Sequence, residues 1–99
     1  MEATPMDQLV TEIVGGEVYP YYPLGDYVVR APGVCDGRPT FKYTRIEIAG
    51  TLDRLATGES IAHLVRGYQG RVSAEAIAEA VNLVTNGYIN ALPDLSSAS

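Results

Sequence analysis

One cysteine, one histidine and seven basic residues are all that this 99-residue chain offers to several common kinds of site chemistry. The lone thiol, Cys35, cannot staple its own fold, so a reduced, cytoplasmic setting is expected. A catalytic cysteine needs a base and an orienting group beside it. The sole histidine, His63, falls on an expected helix, so Cys35 reads as a turn residue. One cysteine and one histidine also specify no metal site. No apolar run is long enough for a transmembrane helix. The opening M-E-A-T-P-M-D lacks the basic-then-apolar plan of a signal peptide. G-V-C-D-G is not followed by a lysine–serine pair opening a helix, so it is not a phosphate loop, and neither G-x-S-x-G nor H-E-x-x-H occurs. No catalytic, cofactor-binding or metal-binding residue is assigned, and no enzyme is expected.

What is present fits one small globular domain. Apolar residues make up 46% of the chain, too many for a disordered protein. A chain this short buries a modest share of its surface, and a partner subunit would add stability. The net charge of −5 is unevenly spread. Residues 1–27 hold five acids and no base, and residues 47–99 hold six acids and three bases. Between them, Arg30, Arg38, Lys42 and Arg45 stand against Asp36 alone. An acidic protein is repelled by nucleic acid, so any phosphate contact belongs to this middle stretch. The alternative is that these bases pair with neighbouring acids or remain solvated.

Taken in order, Thr4-Pro5-Met6-Asp7 has the chemistry of a helix start. Met6, Leu9, Val10, Ile13 and Val14 follow at helical spacing, and Gly15-Gly16 suits a stop, so an N-terminal helix is expected. E-V-Y-P-Y-Y-P-L-G-D-Y then reads as an extended segment whose prolines break regular structure. Its Tyr19, Tyr21 and Tyr22 suit either a protein interface or packing over the core edge. With Met6, Leu9, Val10 and Ile13 they form the candidate interface. Tyr27–Arg30 and Phe41–Ile48 carry strand patterns and are expected to pair as an antiparallel ribbon.

Three helices are expected next. The first presents Ile48, Leu52, Leu55 and Ala56 and stops at Gly58. The second is capped by Ser60 and turns Ile61, Leu64 and Val65 inward. The third is capped by Ser73 and carries Ile77, Val81 and Val84. The last two raise the question of a helix-turn-helix, but S-A-E-A-I-A-E-A offers no arginine, lysine, asparagine or glutamine to reach a base edge. Residues 1–26 are read as an extension, 27–92 as the hairpin and three-helix domain, and 93–99 as a disordered tail.

The segments V-C-D-G-R-P-T-F-K-Y-T-R-I, L-A-T-G-E-S-I and V-S-A-E-A-I-A-E-A-V resemble the bacterial family known as domain of unknown function 433. The shared markers are Gly37, Pro39, Thr44, Arg45, Ile46, Gly58, Ser60 and Ala80, within residues 33–84. Tyr43 stands where the family usually has glycine, and an extension of about thirty residues precedes the resemblance. The resemblance implies a homeodomain-like three-helix fold behind a β-element, usually in a homodimer. Some members are similar to VapB-like antitoxins, which pair with a PIN-domain ribonuclease toxin and bind their own operator.

The fold expected is therefore mainly α: a homeodomain-like three-helix unit preceded by a small antiparallel β-hairpin and an N-terminal helix. Two functions remain open. One is an antitoxin-like or regulatory homodimer that contacts DNA or a partner through Arg38, Lys42 and Arg45. The other is a protein-interaction module with no nucleic-acid role.

Overall fold

A computed structural model, describing residues 8–89, opens with two strands where a helix was expected. Strand β1 (Val10–Val14) runs into β2 (Glu17–Pro23) through Gly15 and Gly16, at φ +59° and +84°. Two left-handed residues in a two-residue connection are what a twisted antiparallel hairpin needs, and glycine adopts them at no steric cost. Val10, Thr11, Ile13 and Val14 are also β-branched, which suits a pleated strand better than a helix. The glycine pair thus closes a hairpin and does not end a helix. The proposed helix-start residues Thr4 to Asp7, the interface candidate Met6 and the tail 93–99 lie outside the described residues.

The sheet continues through β3 (Val28–Arg30) and β4 (Thr40–Phe41) as a four-stranded meander in the order β1-β2-β3-β4, every neighbouring pair antiparallel. Three helices follow: α1 (Ile48–Ala56), α2 (Ile61–Gly67) and α3 (Ala74–Thr85). The fold is α+β, which corrects the mainly α expectation. The prolines do not break β2. Pro20 lies opposite Thr11, and Pro23 ends the strand, so neither withdraws an amide from the middle of a ladder.

The expected ribbon also needs correction. Val28 pairs with Phe41 and Val29 with Thr40, but β4 ends at Phe41. The chain then reverses. Phe41 N–H donates to Ile46 O at 3.0 Å, Thr44 N–H to Phe41 O at 3.1 Å, and Glu47 bridges back to Thr40. Lys42 to Arg45 form the tip of a tight loop, with Tyr43 at φ +66°. Alternation alone could not reveal this reversal, because the loop is as rich in β-formers as a strand.

The helices follow their local chemistry. Ser60 Oγ accepts from His63 N–H at 3.0 Å, and Ser73 Oγ accepts from Ala76 N–H at 3.1 Å. Each satisfies an amide that the helix itself cannot. Their apolar faces build the main core: Ile48, Leu64, Val72, Ala76, Ile77 and Ala80 pack with Leu24, Val28 and Phe41. Ile61 corrects the expectation that it faces inward, since it remains exposed. A smaller cluster of Tyr21, Val29 and Ala31 gathers Val10, Tyr19 and Val34. Successive residues Val28 and Val29 therefore serve different clusters, as a strand covered on both faces requires.

Two side chains fix turns of the chain through polar contacts. Arg30, only 3% exposed, donates from Nε to Gly37 O at 3.1 Å and pins the short 3-10 turn Cys35–Gly37. Glu79 on α3 reaches the β2–β3 turn, accepting from Asp26 N–H at 2.8 Å and Tyr27 N–H at 2.7 Å.

Candidate functional site

The three basic residues singled out in the sequence have separate fates. Arg38 is neutralised within the chain. Its Nε and Nη2 donate to the two Glu47 carboxylate oxygens at 2.9 and 3.1 Å, and Asp36 lies 3.5 Å from Nη1. Two parallel bonds are the geometry arginine prefers with a carboxylate. The Arg38 hydrogen bond is the main reason the Glu47 carboxyl is held below the usual range, against partial burial. Lys42 sits 5.0 and 5.1 Å from the ring centres of Tyr21 and Tyr43, with Glu12 at 3.9 Å. Its charge is therefore absorbed by two aromatic faces and one carboxylate.

Arg45 differs. It is exposed, and its guanidinium has no hydrogen bond or ion pair among the described residues. Glu47, two residues along the chain, is bound by Arg38. Arg45 lines an open groove of about 760 Å³ with Arg71, the two tyrosines Tyr19 and Tyr43, and the acidic Glu17. The structure thus separates Arg45 from the two bases with which the sequence grouped it.

The interface candidates divide by strand face. In the β1–β2 register Val10 faces Tyr21, Glu12 faces Tyr19 and Val14 faces Glu17. These residues share the inner face. Tyr21 is buried there, and its hydroxyl donates to Glu12 Oε2. Tyr43 donates from its hydroxyl to Glu12 Oε1 at 2.7 Å, and its own N–H donates to the Tyr19 hydroxyl at 2.9 Å. The tyrosine hydrogen bonds, Tyr21's first, hold the Glu12 carboxyl below its usual range, with Lys42 adding to them against burial. Burial pushes the Tyr21 phenol up, and the Glu12 hydrogen bond adds to that. Tyr19, Tyr21 and Val10 are therefore internal packing residues, the alternative left open for the tyrosine segment. Tyr22 is half-buried and pairs with Arg30 across β2 and β3.

The opposite face of the hairpin is different. Ile13 and Val18 are direct cross-strand neighbours and are 69% and 64% exposed, with Leu9 at 50%. Of the sequence candidates, Leu9 and Ile13 remain on open surface. Val18 was missed because it lay outside the helical stripe that suggested the others. Its strand-period position between Glu17 and Tyr19 was the available signal. Glu79 had no such signal, since nothing local links it to a turn more than fifty residues away.

Cys35 donates its Sγ–H to Arg45 O at 3.5 Å, while His63 Nε2 lies 3.5 Å from Glu59 Oε1. Each is thus engaged with a different partner. Among the described residues, no group of three or more His, Cys, Asp or Glu side chains could hold a metal ion. No described helix is long and apolar enough to cross a membrane. On α3, Ala76, Ile77 and Ala80 are buried and Glu79 is bound to the β2–β3 turn.

These features define a small α+β protein: an antiparallel meander followed by three short helices, with the β1–β2 hairpin at one edge. The chain belongs to the family described as Protein of unknown function (DUF433), whose model matches residues 28–83. The match begins at β3 and leaves the β1–β2 hairpin outside. No curated protein and no solved structure matches the chain, so the antitoxin likeness implied by the resemblance gains nothing from these comparisons.

Proposed function

We propose that the protein is a small non-enzymatic interaction module whose contact element is the β1–β2 hairpin. The observation that carries this reading is the outer face of that hairpin, where Leu9, Ile13 and Val18 stand exposed beside a strand edge that is unpaired among the described residues. Clustered apolar exposure next to open backbone donors and acceptors favours contact with another polypeptide. The charge map supports the same reading. The chain carries a net charge of −5, Arg38 and Lys42 are neutralised internally, and α3 presents Glu75 in its first turn.

A DNA-contacting regulator is the second reading, and one observation favours it: Arg45 and Arg71 line the same groove. Two measurements separate the readings. A photo-crosslinking amino acid at Ile13 or at Ile61 samples two exposed apolar sites, one on β1 and one on α2. The interaction reading expects protein adducts from Ile13 and none from Ile61. A fluorescence-anisotropy titration against upstream and scrambled DNA at two salt concentrations tests the second reading. Salt-sensitive binding abolished by Arg45→Ala/Arg71→Ala, with Ile13 giving no adduct, would overturn the interaction module.

A further inference from the structure

We infer that β1 pairs with β1 of a second copy of this chain, antiparallel about a two-fold axis at Thr11, so that two four-stranded sheets become one continuous sheet. The inference rests on the interaction-module reading and names its partner.

The open edge comes first. Among the described residues the order β1-β2-β3-β4 leaves β1 and β4 as the edges. Strand β4 is two residues long, and Glu47 bridges back to its Thr40. Strand β1 has five residues and no proline, lysine or other device that usually guards an edge. Its one charge, Glu12, is turned inward and bound by Tyr21 and Tyr43.

The register follows from the turn. A two-residue hairpin closes on a hydrogen-bonded pair, here Val14 and Glu17. Alternation then gives Val14, Glu12 and Val10 to β2, and leaves the backbone groups of Ile13, Thr11 and Leu9 facing outward. Pro20, which has no N–H, falls opposite Thr11 at a pair not joined by hydrogen bonds.

A two-fold axis at Thr11 sets Thr11 against Thr11, Leu9 against Ile13 and Val10 against Glu12. The exposed Leu9 and Ile13 of each copy then cover one another, and the two threonines form a favourable cross-strand pair. An axis one residue along, at Glu12, would use the same outward groups but place two carboxylates directly opposite, which is unfavourable. Charge therefore selects Thr11. An edge of five residues gives an interface smaller than the standard size, so the dimer is a weak one.

Sedimentation of the full chain at about 100 µM, enough to populate a dimer of micromolar affinity, should read as a dimer. Thr11→Pro removes an N–H that β2 does not use. It should shift the protein to monomer with unchanged circular dichroism. In a Cys35→Ser background, Thr11→Cys should oxidise to a disulfide-linked dimer, since directly opposed hydrogen-bonded residues have Cα atoms about 5.5 Å apart, within disulfide range. Glu12→Cys should not link. A dimer that survives Thr11→Pro, or that links at Glu12→Cys and not at Thr11→Cys, overturns the pairing. A monomer that still gives adducts to another protein from Ile13 overturns the self-pairing and leaves the interaction reading standing. A monomer with no adduct overturns both.

Discussion

Removing the Glu79 carboxylate should loosen the β2–β3 turn from α3 by an amount that depends on residue 25. The carboxylate accepts from Asp26 N–H and Tyr27 N–H at 2.8 and 2.7 Å, and a Cβ on Gly25 would lie 2.5 Å from its Cδ. Hydrogen bonds to a charged group contribute about 1.5–3 kcal/mol in dry surroundings. Asp26 and Tyr27 are exposed, so water replaces part of that, and Glu79→Ala should cost about 2 kcal/mol for the pair. In a domain of this size that lowers Tm by about 8–16 °C. Glu79→Gln keeps one acceptor and should cost about half as much. Gly25→Ala should cost a similar 1–2 kcal/mol, roughly, by displacing the carboxylate. The double variant is decisive. Gly25 does not occupy the left-handed region, so once the carboxylate is gone alanine should fit and stabilise by about 0.5 kcal/mol through the unfolded chain. Urea unfolding of the four proteins measures the cycle. An equal loss from Gly25→Ala with and without Glu79 would refute the argument.

Three further outcomes follow from other contacts. Thr40 is fully buried in β4 with its hydroxyl unpartnered, so Thr40→Val should raise stability by about 1 kcal/mol in chemical denaturation. Ser73→Ala removes the acceptor for Ala76 N–H at the start of α3 and should cost about 1 kcal/mol, with Ser73→Asp restoring most of it. Glu12, Glu47 and Glu59 are each held below the ordinary carboxylate range, chiefly by hydrogen bonds from Tyr21, Arg38 and Arg54 respectively. A lowered folded-state pKa means that the unfolded chain binds more protons in acid. Stability should therefore be complete above the ordinary carboxylate range and fall as pH drops through the folded values. The urea midpoint should be lower near about pH 3 than near about pH 6, and Glu47→Gln should flatten that difference.

The sequence by itself determined the helical half. Ser60 and Ser73 are caps because a short hydroxyl before an apolar-periodic run satisfies an amide locally, and they act as caps in the structure. Gly37 and Gly58 take the left-handed conformations that turns and helix ends favour, at φ +80° and +103°. Of the family markers, Gly58, Ser60 and Ala80 lie in this half, while Gly37, Pro39, Thr44, Arg45 and Ile46 fall between β3 and α1, all within the family match. The N-terminal half contained its answer in ambiguous form. Leu9, Val10, Ile13 and Val14 fit a helical stripe, yet V-T-E-I-V-G-G-E-V-Y fits a hairpin equally well, and pairing with β2 decides between them. Only the tertiary structure could assign the charges and faces. Arg38, Lys42 and Arg45 look alike in sequence, but Glu47 closes on the first and Glu12 with two tyrosines on the second, leaving the third in the groove. Likewise Tyr21 is buried while Ile13 and Val18 are exposed, because a strand alternates its faces and the fold covers one of them. Local propensity acts over a few residues; which face is covered and which charge is met depend on partners brought in from across the chain.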